Sequence, residues 1–563
     1  MKTTKFLSFL LALVLMLSAL SSCAFFEKER DEDTSQSQST TEVFEESPKS
    51  YAAFGKEYDL TDADQEAFAN ALAECLSLME SNSDEALIDA SVEKIETLFY
   101  RISDQADLAY VLFCADQKDE VVSQSYLYAK EMKNNAYADY MKLCQKVDEA
   151  SFAYRDRFFE DWSANDFLQM RQYTDEVAVI NKKNDEILVA YRALDPNSES
   201  FGADMSRLYV EMVRNNQALA KLFGYSNYVT FAHEMIYERD YSREDLKLVR
   251  NYLQEHLLII CKQAAFEFMG DYQAMGMVEQ LQVSNWLSGD YSALSGDPVG
   301  AYLSSLPTSM KNSMSKVLQS EYSIFTNDQN AYAGAFTSYF YGDSYPFCYF
   351  GPGYNSAFTV IHEAGHFYAA EHLNGLDVDL DLAELHSQGN EWLFLEAIQN
   401  QLSKNVYDVL LAYHYYESLC TIIISVIVDE FEETVYANAD SLDGSVEQLD
   451  GFMKGICARY GGEEFLAEYV TDVSKYWKLV VIESPAYYIS YAVSGVTSMG
   501  LFCRNGYGYK EAVNRYQALV ENVLNKESFL ETLEKAGLAS PFDENLYMNI
   551  AVAWNTRNKA KGD

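Results

Sequence analysis

The sequence predicts a large, predominantly α-helical protein, and three observations carry that prediction. Apolar residues recur at helical spacing over most of the chain, proline is rare (8 in 563 residues), and no strand–helix–strand repeat occurs. The texture changes between Trp286 and Gly353, where Gly, Ser, Tyr and Pro concentrate, so a short irregular strand or loop pair is expected there. About 510 residues follow the leader and its tether, enough for a large core and for two lobes.

The first residues read as a targeting segment. Lys2 and Lys5 form a basic start, Phe6 to Leu20 an apolar run too short for a spanning helix, and Leu20-Ser21-Ser22-Cys23 its end. That ending resembles the lipobox of bacterial lipoproteins, which implies cleavage before Cys23, acylation of its thiol, and a position at the cell surface or in the periplasm. Residues 1–22 are thus expected as signal peptide and 23–52 as a tether. The acidic, Ser/Thr-rich DEDTSQSQSTTEVFEESPKS cannot bury enough surface to fold. Cleavage removes two lysines and no acid, taking the formal charge from −44 to −46. Such a chain repels nucleic acid and anionic lipid, so the lipid is the expected membrane link. The eight cysteines besides Cys23 are scattered without a close pair and are expected as buried free thiols.

Helices are expected from Asp62 to about Leu281. TDADQEAFANALAECLSLMES opens on a Thr/Asp cap, and Ser242 with Glu244-Asp245 marks another helix start. A break is expected at Gly224-Tyr225-Ser226-Asn227. After Gly353 the helical pattern returns, and the apolar run Cys420–Val428 reads as a buried core helix. Residues 53–340 are expected as an N-terminal helical region and 341–563 as the region that carries the chemistry. His233, His256 and His414 are expected to pack or lie at the surface, and Trp392 and Trp477 to anchor the core.

The chemistry centres on His362-Glu363-Ala364-Gly365-His366, in a chain with only seven histidines. On a helix, residues four apart share a face, so His362 and His366 can grip one zinc ion. Glu363 is then the general base toward a water. A catalytic zinc takes three protein ligands. Glu371 would point away, and His372, Asp377, Asp379 and Asp381 belong to the helix end or the segment between helices. Glu384 is the leading third ligand and His386 its rival; spacing alone does not decide between them. On a second helix Glu384, Gln388 and Glu391 share one face, which makes Glu391 a partner for the far nitrogen of a ligand histidine and Gln388 a supporting group. Further on, SPAYYISYAVSG places Tyr488 and Tyr491 three apart on one face, suited to donating to an oxyanion. Tyr487 faces elsewhere and is expected to pack.

HEAGH, followed after eighteen residues by Glu384 in AELHSQGNEW, resembles the M3 family of zinc oligopeptidases, which includes thimet oligopeptidase and oligoendopeptidase F. LFGYSNYVTFAHEMI, SPAYYISYAVSG and EKAGLASPFDEN strengthen the resemblance over roughly Arg207 to Asn545. It implies a two-lobed zincin-type metallopeptidase with a deep substrate channel. It also implies one Zn2+ held by His362, His366 and Glu384, catalytic roles for Tyr491 and Tyr488, and short peptides as substrates of a monomer. WKLVVIESPAYY lacks the histidine the family carries before its tyrosines. That departure bears on substrate handling and not on water activation. The acidic body favours basic peptides if its charge lines the cleft. Binding of peptides without turnover, as by a solute-binding lipoprotein or a peptidase-derived scaffold, is the alternative reading. The bend at Gly351-Pro352-Gly353 is a further candidate for backbone contacts to a peptide.

Overall fold

The computed structural model describes residues 52–561 apart from 151, 161, 193, 195–197, 376–378, 462–476, 478–480, 504–506 and 522–527. The predicted signal segment 1–22, Cys23, the tether up to residue 51, and Asp377 lie outside the described residues.

The architecture is predominantly helical, with small β elements, and its apolar side chains form two cores. The first is built on α1 (Asp62–Glu80), α2 (Glu85–Ala115) and α3 (Glu120–Glu149). Thr61 caps α1 in a reciprocal box with Asp64, as its sequence implies, and Asp84 and Asp119 cap the next two through their side chains. The second core runs from Val177 to Trp554. It includes α4 (Phe201–Leu222), which ends at Phe223 before Gly224 (φ 84°), with Asn227 capping the short helix Tyr228–Phe231. This is the break the sequence places at 224–227. A π-helical turn over Ala232–Ile236 follows and carries the chain into Tyr237, Arg239 and Tyr241.

A three-stranded sheet joins the two cores: β1 (Ser323–Phe325), β2 (Ala335–Phe340) and β3 (Tyr345–Phe350). β3 lies centrally, parallel to β1 and antiparallel to β2. Alternate residues face opposite sides. Phe336, Phe340, Phe347 and Tyr349 therefore join the first core, while Ala335, Cys348 and Phe350 join the second. The 340/341 division read from the sequence runs through the turn of this hairpin. Asp104 of α2 accepts from the Tyr341 and Gly342 amides and ties that turn to the first core.

Behind the sheet lie α5 (Ala357–Leu373) and α6 (Leu380–Ala397), α7 (Lys404–Ala437) and α8 (Ile489–Phe502). Ser356 caps α5, Asn374 ends it in the left-handed conformation (φ 54°), and Asp379 caps α6. α7 is long and apolar enough to cross a membrane, but 78% of its apolar window is buried in protein. Ile422, Ile423, Val426 and Ile427 are each at most 2% exposed, as expected for a core helix. Each contributes at most about 1.5–3 kcal/mol of hydrophobic stabilisation. Trp392 and Trp477 are fully buried, and the eight cysteines among the described residues are buried and form no disulfide there.

Candidate metal centre and active site

The HEAGH residues lie mid-way along α5, and their neighbours decide what they can do. A Cβ placed on Gly365 would stand 2.4 Å from the His386 carbonyl oxygen of α6. Only glycine allows the two helices to lie this close. Tyr516 donates to the same carbonyl from the far side (2.5 Å), which fixes α6 in place.

This approach brings Glu384 to the two histidines. Donor atoms of His362, His366 and Glu384 lie within 4.8 Å of one another, and the two imidazole centroids are 5.0 Å apart. His386 stands two residues along α6, about 200° around the helix, and is not part of that group. Glu371 points away into an ion pair with Lys316. Asp381 turns toward Tyr241, and Asp379 is spent as the α6 cap.

The rest of the α6 stripe falls where helical spacing puts it. Glu391 Oε1 accepts a hydrogen bond from His362 Nδ1 at 2.6 Å, which turns Nε2 toward Glu384 Oε2 at 3.9 Å. Gln388 accepts from Ser494 Oγ at 3.3 Å and lines the adjoining pocket.

Glu363 is 1% exposed. Thr337 Oγ1, from β2, donates to its Oε2 at 2.7 Å, while Oε1 is buried without a hydrogen-bond partner. Burial, opposed by the neighbouring His362, pushes its carboxyl up to about 7. A cation held at the triad would pull it back down. Burial likewise holds His366 well below the usual imidazole range, helped by His362 and His386, so it is neutral and fit to ligate.

These residues fit a metal ion by two tests. Two imidazoles and one carboxylate are a donor set suited to a catalytic zinc, and they converge from a rigid helix pair. A buried carboxylate oxygen with no partner stands beside them, and such an atom is costly unless something binds it.

The tyrosine side corrects one expectation. Tyr487, read from helical spacing as a packing residue, donates its hydroxyl to Glu384 Oε1 at 2.6 Å. The reason is local: α8 begins only at Ile489, so residues 485–488 form a turn and helical spacing does not apply to them. Ala486 takes a positive φ of 62°, a conformation rarely adopted by a residue with a Cβ. Tyr491 hydrogen-bonds Glu384 and lines the pocket beside His362 and Glu363. Tyr488 packs on Tyr491 and Tyr487, with centroids 5.9 and 6.4 Å away.

Distant residues hold that turn. The buried Arg239 guanidinium donates to the Ala486 and Tyr487 carbonyls (3.3 Å each) and to Ser490 Oγ (2.9 Å). Its charge faces Asp381 at 3.6 Å, and Asp381 also accepts from Tyr241 at 2.6 Å. Tyr237 donates to the Pro485 carbonyl, and Glu432 of α7 accepts the Ala486 amide at 2.9 Å. Arg239, Tyr237, Glu432 and Thr337 escape a reading by motif, because each meets the site across more than twenty residues of chain. A charged residue such as Arg239 beside an apolar helix end is the faint signal that was there.

At the Gly351-Pro352-Gly353 bend, Gly353 has φ 81°, and Gly351 gives its amide to Gly334 and its carbonyl to the Tyr354 amide. These Gly351 groups hold the bend, which delivers Tyr354 and Ser356 to the pocket wall.

No family model and no curated protein match the chain by sequence. Solved structures match its fold. Pz peptidase A, solved with an inhibitor, superposes with a TM-score of 0.67 at 16% identity, over 89% of this chain and 98% of its own. A candidate oligoendopeptidase F from Bacillus anthracis str. Ames gives 0.66 at 14% identity, over 90% and 97%. Oligoendopeptidase-F from Enterococcus faecium gives 0.52 at 13%, over 89% and 99%. The fold is therefore that of oligoendopeptidase F-like structures across nearly the whole chain, as the motif resemblance implies.

Proposed function

We propose that the protein is a zinc-dependent metalloendopeptidase that hydrolyses internal bonds of short, unfolded peptides. The observation that carries this reading is the convergence of His362, His366 and Glu384 beside a buried Glu363 whose Oε1 has no partner. The likeness to peptidase structures supports it.

In this reading His362, His366 and Glu384 hold one zinc ion, which supplies Lewis acidity toward the scissile carbonyl and the attacking water. Thr337 occupies Glu363 Oε2, so the proton taken from that water arrives at Oε1. Glu363 then passes the proton to the leaving amine nitrogen. Tyr491, and Tyr488 behind it, supply phenol donors toward the developing oxyanion. Tyr487 acts one step removed, by fixing the Glu384 carboxylate through its hydroxyl. Glu391 does the same for the His362 ring, and Gln388 supports the wall between α6 and α8.

The setting in this proposal is outside the cytoplasm, with the chain acylated at Cys23 as its one membrane link, acting as a monomer on peptides and not on nucleic acid. Metal analysis and a quenched-peptide assay on the intact chain and its Glu363→Gln variant test it. Bound zinc in both, with cleavage reduced about 10²- to 10⁴-fold in the variant, is expected. Peptide binding without cleavage by the intact zinc-loaded chain would favour the non-hydrolytic alternative and overturn the proposal.

A further inference from the structure

Beside His362 and Glu363 the site opens into a cavity of about 240 Å³. Two helical stripes form part of its wall. α7 presents His414, Glu417, Ser418 and Thr421, and α8 presents Tyr491, Gly495 and Ser498. Both follow i, i+3/i+4, i+7 spacing, so each is one face of its helix. Gly495 lets the stripes close together, since a Cβ there would meet Ile422 at 2.8 Å. Three carboxylates, Glu363, Glu391 and Glu417, line the cavity, and among the described lining residues there is no lysine or arginine. Glu384 adds a fourth carboxylate at the rim of the triad. A dication there offsets only two of the four.

The carboxylates are not equivalent. Glu363 belongs to the proposed chemistry, and Glu391 is engaged by His362. Glu417 hydrogen-bonds the Tyr413 phenol and is engaged by other neighbours, and its carboxylate, with about four acceptor positions, stands at the cavity wall. An independent observation points the same way. His414 is 6% exposed and lines the cavity one turn before Glu417, and its Nε2 makes no hydrogen bond, Glu391 Oε2 standing 3.9 Å away. The ring is clamped against Phe358 (5.1 Å) and Trp392 (4.4 Å), so it cannot turn freely to find one. A buried polar atom in this state belongs to a site that expects a ligand. Tyr413 and Trp392 add aromatic walls that suit a guanidinium or ammonium group.

We propose that this cavity is a subsite for one basic side chain, arginine or lysine, of the bound peptide, with Glu417 as the residue that selects it. The inference rests on the peptide reading above and adds the class of peptide to it. It also gives a place to the acidic charge of the chain, which composition alone leaves unlocated.

The test is binding, measured by fluorescence anisotropy, of labelled unstructured peptides that carry Arg, Lys, citrulline or Glu at each position in turn. About 0.3 M salt screens the charge of the whole body. The full chain is compared with its Glu417→Gln and Ser418→Lys variants, each checked for folding by circular dichroism. Arg or Lys is expected to bind on the order of tenfold tighter than citrulline at one position only. That ratio should fall close to one in Glu417→Gln and invert toward Glu in Ser418→Lys. An unchanged ratio in the folded variants, an equal preference at every position, or no peptide binding overturns the subsite. Cleavage is followed in parallel with the zinc-loaded chain. Selective binding without cleavage overturns the hydrolase reading alone, and cleavage without discrimination overturns the subsite alone.

Discussion

His362, His366 and Glu384 reach one point from two adjoining helices, and the spacing of each helix does most of the positioning. Tyr487, Tyr488 and Tyr491 stand over the same point from a turn and a helix start, held by Tyr237, Arg239, Asp381 and Glu432. The first wall is local: regular backbone sets the angles, and Gly365 sets the distance. The second wall is cooperative: an alanine in the left-handed region is kept there by a buried guanidinium and a buried carboxylate. The proposed metal wall, set on rigid helices, tolerates changes elsewhere. A wall assembled from distant groups answers to each of them.

The largest effect that separates the walls is expected from Arg239→Ala. It leaves Asp381 buried beside no cation and strips donors from the Ala486 and Tyr487 carbonyls, which should cost about 3–5 kcal/mol in denaturant unfolding. Zinc stoichiometry should hold while cleavage falls. Parallel loss of zinc would show that the walls are one unit.

Next in size is a pH effect at Glu432. Burial is the main cause that lifts its carboxyl to about 8, against an ordinary 4.5, and the Ala486 amide opposes it. The folded value is raised, so its stabilising contribution is complete below about pH 4.5 and is lost as pH climbs toward 8. Glu432→Gln keeps an acceptor for the amide and should flatten that decline, gaining a few kcal/mol over the unmodified chain near pH 9 and little near pH 5. Melting temperatures across that range decide it, and a parallel decline in both proteins would sink it.

The smallest expected effect is that of Tyr487→Phe, which removes the hydroxyl that donates to Glu384. Zinc affinity should weaken about tenfold in competition with a chelator, with the melting temperature little changed. No change in affinity would mean that the tyrosine wall does not reach the metal wall.

The same contrast explains what was legible before the fold was known. HEAGH, Glu384, Gln388 and Glu391 are short-range patterns on α5 and α6, and helical periodicity, joined by the family resemblance in the choice of Glu384 over His386, puts each near its observed place. The metal wall could therefore be laid out residue by residue, including the Glu391 partner of His362 and the exclusion of Glu371. Tyr487 was misread because periodicity was applied where the chain turns. A non-glycine residue at positive φ, as at Ala486, leaves no trace in the sequence. Thr337 sits in a strand whose partner across the site is the i+26 residue, and nothing in FTSYF marks it. Of the fold, the helices and the break at 224–227 were plain. The sheet that joins two cores was visible only as a change in texture, because β2 and β3 face apolar surroundings on both sides and do not alternate.

The hairpin at 335–350 has a consequence for how this chain can be divided. A fragment starting at residue 341 keeps HEAGH, Glu384 and all three tyrosines, yet it leaves behind Thr337 and Arg239. Such a piece would carry the metal-site and tyrosine motifs but not the Thr337 hydroxyl on the base or the Arg239 guanidinium on the tyrosine turn. Its lineage would have to inherit the two parts together, and two separately made halves should regain function only when they refold as one body.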